Sequence, residues 1–403
     1  MKPRRILLAA ALLTLLSQSV IPAAVAEEGE ALLGTWSGAK ETLADAGVDV
    51  EAILTHELVG NTSGGVKRKA VNLGNFDLTA SIDTEKAGLW SNGTIFVYGL
   101  ANYGEEPSKY IGDTQVTSNI ETYSTAKIYE AWYEHRFLDE RLSVLAGLHD
   151  YNSEFDSLEY AGGLTHASFG ISPDISQVGP SIFNTTAMAV RIRVQPTDSV
   201  YLSNALYDGI PGDPNNPRGT RIKFESGDGL FWGSEVGVTE GESDGAGYYK
   251  VALGGWLHTA KFEDFNGESR DRNQGLYLIA ERSLLREEDD KQGLGIFFQS
   301  GFADASRNQI ARYFGGGFAY TGLIAGREQD TVSFGFASAV NSSSFRSANP
   351  GLERTETALE ANYRANLLPY LAVQPDFQYV INPGTDPELD NAVVVGVRVE
   401  VAL

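Results

Sequence analysis

The sequence predicts an all-β chain closed into a membrane-spanning barrel, and three observations predict it. The chain ends on NAVVVGVRVEVAL, where Val395, Val397, Val399, Val401 and Leu403 alternate with Gly396, Arg398, Glu400 and Ala402. That pattern is a strand with one dry and one wet face, the kind on which an outer-membrane barrel closes. At the other end Lys2, Arg4 and Arg5 precede an apolar run from Ile6 to Leu16, and Ala24-Val25-Ala26 offers a small-x-small cleavage site, so residues 1–26 read as a secretory signal. After them no window nears the roughly 18 consecutive apolar residues of a spanning helix, so crossing a membrane requires a closed barrel. The bacterial outer membrane is the address that follows.

Composition agrees with this class. There are 44 glycines, 10% aromatic residues and two methionines, as expected of many strands joined by turns. The absence of cysteine suits a chain that crosses an oxidising periplasm unfolded. A formal charge of −22 excludes nucleic acid, whose phosphates require a basic surface. Acidic groups on outer loops instead suit contact with lipopolysaccharide through divalent cations.

In chain order, the first element after the signal is an N-terminal helical segment at 27–47. Its GTWSGAKETLADAG stretch carries Trp36, Ala39, Leu43 and Ala46 and stops at Gly47. Residues 48–403 then form one barrel domain, a succession of alternating segments of about ten residues separated by Gly, Asn, Asp and Pro. In KIYEAWYEHRF the rings of Tyr129, Tyr133 and Phe137 share a face, as Phe334 and Phe336 do in TVSFGFASA, and suit an aromatic girdle. Residues 355–367 place Leu359, Ala361, Tyr363, Ala365 and Leu367 opposite Glu356, Glu360, Asn362, Arg364 and Asn366. Residues 371–381 place Leu371, Val373, Phe377, Tyr379 and Ile381 opposite Gln374, Asp376 and Gln378, with Pro375 on the apolar side. Charged residues facing lipid at midplane cost roughly 2–4 kcal/mol, so the polar faces belong to a wet lumen.

The blocks AKIYEAWYEHRFLDERLSVLAGLHDYNSEFDSLEYAG (126–162), QPTDSVYLSNALYDG, NPRGTRIKF, YKVALGGWLHTAKF and LAVQPDFQYVINPG (371–384) resemble the carbohydrate-selective porins of the OprB family. Their order and spacing match across nearly the whole chain beyond the signal, including LLGTWSGAKETLADAGV. The resemblance implies a sixteen-stranded antiparallel transmembrane β-barrel of porin type and passive diffusion of sugars across the outer membrane. It also implies a narrow zone where charged and aromatic side chains meet the solute. Sugars are the expected solutes, with outer-membrane lipid, lipopolysaccharide and the barrel-assembly machinery as partners, and no cofactor or metal. The chain departs from the family in ending on Leu403 rather than an aromatic residue. It also carries Leu145 at an inward position where relatives often have Arg.

A neutral polyol with an apolar ring face is held by paired hydrogen-bonding groups beside an aromatic surface. On the strand at 127–137 the face opposite the girdle carries Glu130, Trp132, Glu134 and Arg136, which is either a solute contact or a wall ladder of ion pairs. By the same parity Arg191 and Arg193, Arg221 and Lys223 in TRIKF, Lys250, Trp256 and His258, and Glu356, Glu360 and Arg364 point inward. The irregular segment 151–182 is the candidate constriction loop, and an outer lid is its alternative. Folded inward, it would set Glu154, Asp156, Glu159 and Tyr160 against Arg191 and Arg193 across the pore.

An outer-membrane enzyme needs a nucleophile or acid pair beside a histidine. His56, His135, His149, His166 and His258 show no zinc spacing, and no Gly-x-Ser-x-Gly or phosphate-cradling loop is present. No enzymatic activity is expected. A general porin that ranks solutes by size alone remains the alternative to a sugar channel.

Overall fold

A computed structural model describes residues 31–241, 247–286 and 292–403. The expected signal at 1–26 lies outside the described residues. Sixteen strands form one closed barrel in which each pairs with its neighbours in sequence and the first pairs with the last. They are β1 (Val48–Ser63), β2 (Lys69–Asp83), β3 (Gly93–Gly104), β4 (Thr125–Phe137), β5 (Leu142–His149), β6 (Ala187–Val194), β7 (Val200–Asp208) and β8 (Leu230–Glu240). The second half comprises β9 (Tyr249–Glu263), β10 (Ser269–Arg286), β11 (Gly293–Ala303), β12 (Ile310–Thr321), β13 (Thr331–Asn341), β14 (Thr355–Leu368), β15 (Leu371–Ile381) and β16 (Ala392–Ala402). All pairings are antiparallel, which lets short connections suffice at one end.

The two barrel ends differ. Connections such as 138–141, 195–199 and 369–370 are short and share an end with the N-terminal segment, whose Leu32 amide donates to Ala402 O at 2.9 Å. There α1 (Ala39–Asp45) abuts the foot of β1, between Gly38 and Gly47, both of which have positive φ. The opposite end carries the long loops 105–124, 150–186, 209–229 and 342–354. In outer-membrane barrels short turns are periplasmic and long loops extracellular.

Alternation along the strands separates lipid from lumen. In β16, Val395 and Val397 are exposed on the outside, while Val394 and Arg398 are buried on the inside. The seam sets Arg398 opposite Glu57 of β1, and Arg398 Nε donates to Glu57 Oε1 at 2.5 Å. Phe334 and Phe336 lie on the outer face, as expected, and Pro375 also points outward.

Two expectations about orientation change. A bulge in β4, between the pairs Tyr98–Glu130 and Gly99–Ile128, leaves Tyr129 without an opposite residue. The extra residue turns Tyr129 inward beside Glu130 instead of into the girdle, and its hydroxyl donates to Asp150 Oδ2 at 2.5 Å. The girdle on this strand is Tyr133, His135 and Phe137, with Tyr133 OH 2.7 Å from both His135 Nδ1 and Trp90 Nε1. TRIKF is no strand: residues 209–229 are a loop, so parity has no meaning for Arg221 and Lys223, and Arg221 is exposed rather than in the lumen.

Candidate functional site

Loop 150–186 folds against inward side chains of the wall. A chain segment without a strand partner brings bare amide groups into a buried place, where each must find an acceptor. Wall glutamates supply them. Asp150 N donates to Glu130 Oε2 at 3.1 Å, Asp156 N to Glu235 Oε2 at 3.1 Å and Tyr160 N to Glu281 Oε2 at 3.0 Å. Thr165 N and His166 N donate to Glu360 at 2.7 and 3.0 Å. The loop thus touches β4, β8, β10 and β14 in turn, and Asn362 and Gln374 donate to Gly163 O from β14 and β15. Loop 105–124 joins it: Thr114 N and Gln115 N donate to Glu356, and Asn119 N donates to Thr165 O at 2.7 Å.

Apolar packing seals the loop on one side. Tyr151, Phe155, Leu164, Phe169 and Ile175 are buried against Tyr207, Phe231, Trp256, Tyr277 and Ile279. Inward glycines make the approach possible: a Cβ at Gly233 would stand 2.4 Å from the Tyr151 ring, and one at Gly295 2.2 Å from the Tyr160 ring. Burial perturbs the loop's acids and base. It pushes Asp156 up to about 7 and Asp174 well above the carboxylate range, and it lowers His166 to about 3. Glu154 goes the other way: burial raises it, but the Arg191 guanidinium and the His149 ring overcome that and hold it below the usual range.

Opposite charges meet where β4, β5 and β6 adjoin the loop's start. Arg191 Nη2 lies 2.7 Å from Glu134 Oε1 and from Glu154 Oε1, and Arg136 lies 2.7 Å from Glu134 Oε2. Leu145 sits buried between them, since it pairs with Glu134 on one side and Arg191 on the other. Two aromatic faces flank this network. Trp132 stacks on Phe96 with centroids 4.9 Å apart and rings inclined by 26°, and the Arg193 guanidinium lies 4.3 Å from the Tyr201 ring centroid. Trp132, Phe96, Arg136 and Arg193 are only partly buried.

The remaining sequence candidates take other places. Glu130 accepts from both Trp132 Nε1 and the Asp150 amide, and Glu356 and Glu360, each 1% exposed, are occupied by loop amides. Lys250 donates to Ser157 O at 2.7 Å, and Arg364 pairs with Glu400. Trp256 is sealed beneath the loop and offers a solute no ring face, while Asp156 is buried within the loop and does not face Arg191 across the pore. Its Oδ2 accepts from Ser172 N at 2.8 Å. Glu154 reaches Arg191 by direct contact, Glu159 is half-buried near Glu281 and Lys250, and Tyr160 packs edge-on against Tyr248. Sequence reading missed Phe96, because Ile95, Phe96, Val97 and Tyr98 are apolar on both faces. It also missed Tyr201, Glu235 and Glu281, whose alternating segments do show the inward parity.

Comparison with known proteins agrees with this architecture. The family model of the carbohydrate-selective porins, OprB family, matches residues 67–403. Porin B of Pseudomonas aeruginosa is 23% identical over 92% of this chain and 90% of its own length. The putative porin QuiX of Acinetobacter baylyi is 24% identical over 91% of each. The high-pH structure of Pseudomonas putida OprB superposes with a TM-score of 0.84 at 21% identity, covering 93% of this chain and 99% of that one. A match over most of the chain, carried on a closed sixteen-stranded barrel with a partly open charged and aromatic lumen, has one meaning: this chain belongs to the OprB family of carbohydrate-selective porins, non-enzymatic channels of the outer membrane.

Proposed function

We propose that the solutes are mono- or small oligosaccharides, and that they pass between the Trp132–Phe96 face and the Arg193–Tyr201 face. The observation that carries this reading is a partly open stacked ring pair, Trp132 on Phe96, together with the partly open Arg193 guanidinium spread over the Tyr201 ring. A sugar's ring face stacks on the aromatic surface while its hydroxyls exchange water for guanidinium N–H donors and carboxylate acceptors. Each contact is weak enough to be left again, as conduction requires. Glu134, Arg191 and Glu154 act as the scaffold that aims Arg136, and the infolded loop including 151–182 serves as the constriction. Lipopolysaccharide, surrounding lipid and the barrel-assembly machinery, the last meeting the C-terminal strand, are the other partners.

Single-channel recording with sugars as blockers tests this. Trp132→Ala and Arg193→Ala should each weaken block by about 2- to 12-fold, the value of one aromatic contact, with conductance for small ions maintained. Unchanged block in both variants removes these faces from the sugar path, and block that ranks sugars by size alone makes the channel a general pore.

A further inference from the structure

The barrel wall is incomplete above β5 and β6. Each has 8 residues where β4 has 13, and β5 pairs with β4 only from Leu148–Ala131 downward. The upper part of β4 therefore turns bare backbone groups toward the place where a longer β5 would run. Loop 209–229 occupies that place. Thr220 Oγ1 donates to Ile128 O at 2.6 Å, Gly219 N donates to Thr125 Oγ1 at 3.3 Å, and Tyr123 OH donates to Pro217 O at 2.9 Å. Residues 217–224 thus lie beside β4 at the extracellular rim, next to Ile128, which is itself exposed on the lipid face.

The composition of this patch differs from that of the acidic chain around it. Arg218, Arg221 and Lys223 fall within six positions, and on either side of Lys223 stand Ile222, 56% exposed, and Phe224, 69% exposed. Lys223 is held by Glu225 at 2.7 Å and Asp213 at 3.6 Å, whereas Arg218 and Arg221 enter no ion pair among the described residues. Exposed apolar side chains beside cations, at the level where acyl chains give way to headgroups, fit an amphiphile that carries anionic groups above hydrocarbon.

We propose that residues 217–224 form a binding site for the phosphorylated, multiply acylated glycolipid of the outer leaflet, with the Arg218 and Arg221 guanidinium groups on its phosphates and Ile222 and Phe224 among its acyl chains. Guanidinium matches phosphate in both charge and donor geometry. The site deepens the lipopolysaccharide contact named above and rests on it.

The test is native mass spectrometry of the full chain in detergent, titrated with bis-phosphorylated hexa-acyl lipid A, its dephosphorylated form and phosphatidylglycerol. The wild type should retain bis-phosphorylated lipid A in preference to both others. Arg218→Ser/Arg221→Ser should lower retention about tenfold, as should Phe224→Ser, whereas Arg221→Lys should keep most of it. Arg346→Ser, on loop 342–354, should retain the wild-type level, and unaltered single-channel conductance shows that each variant is a folded barrel. No preference in the wild type overturns the lipopolysaccharide reading itself. Preference in the wild type with equal retention by the double variant, or equal binding of the dephosphorylated form, overturns this site.

Discussion

Inward-facing glutamates in this lumen look alike in sequence and do different work. Glu134 pairs with two arginines, Glu360 and Glu356 take up loop amides, and Glu400 pairs with Arg364. Parity put them all inside, because alternate residues of a strand must share a face. It could not assign their partners, which for Glu356 and Glu360 come from loops far away in the chain and for Glu134 and Glu400 from arginines on strands. Arg191 shows the energetic consequence. It is buried between Glu134 and Glu154, so Arg191→Met leaves Glu154 with only the His149 ring and Glu134 with only Arg136, and should cost about 3–5 kcal/mol. Thermal melting of the barrel followed by circular dichroism reads this directly; an unchanged transition would mean that solvent reaches the two acids and that the network is only a surface ladder.

Loop 150–186, as an element, carries titrating groups of opposite sense. Burial raises Asp156 from the ordinary 3.8 to about 7, so the folded loop favours its neutral form. That contribution is full below the ordinary value and is lost as the pH rises through about 7; Asp174, raised in the same way, adds to it. Glu154 and His166 are both lowered, so their contributions exist above their ordinary values and fade toward acid, leaving little change above neutrality. Amide hydrogen exchange across 155–175 should therefore quicken, beyond the intrinsic pH effect, as the pH rises through about 7, and Asp156→Asn/Asp174→Asn should flatten the increase. Equal profiles in wild type and double variant would place the loop's stability elsewhere. The irregularity of 151–182 already marked it as no strand pair. Its path did not show in the sequence, because the acceptors Glu235, Glu281 and Glu360 that receive it lie 79 or more positions onward.

The whole molecule depends on one seam. β1 and β16 meet at opposite ends of the chain, and Glu57 with Arg398 joins them from the lumen side. Arg398→Ala should lower the barrel's melting transition by the equivalent of about 3–5 kcal/mol, while Glu57→Gln/Arg398→Met should recover part of it, since removing both charges leaves neither stranded. Heat-dependent gel migration distinguishes closed from opened barrels, and a double variant as weak as the single one would deny that the pair is what matters at the seam.

By itself the sequence determined the strand class, the dry and wet faces of β14 to β16, the inward Arg398 and Glu400, and, through its ordered blocks, the family. These are local or linear properties: alternation follows from the two-residue period of a strand, and family blocks are read along the chain. Only the tertiary structure decided that Tyr129 turns inward at a bulge, that TRIKF patches the wall, that Trp256 is covered, and that Phe96 and Trp132 stack. Each of those depends on where a distant segment lies once the barrel has closed, and no periodicity within a segment reports the position of another.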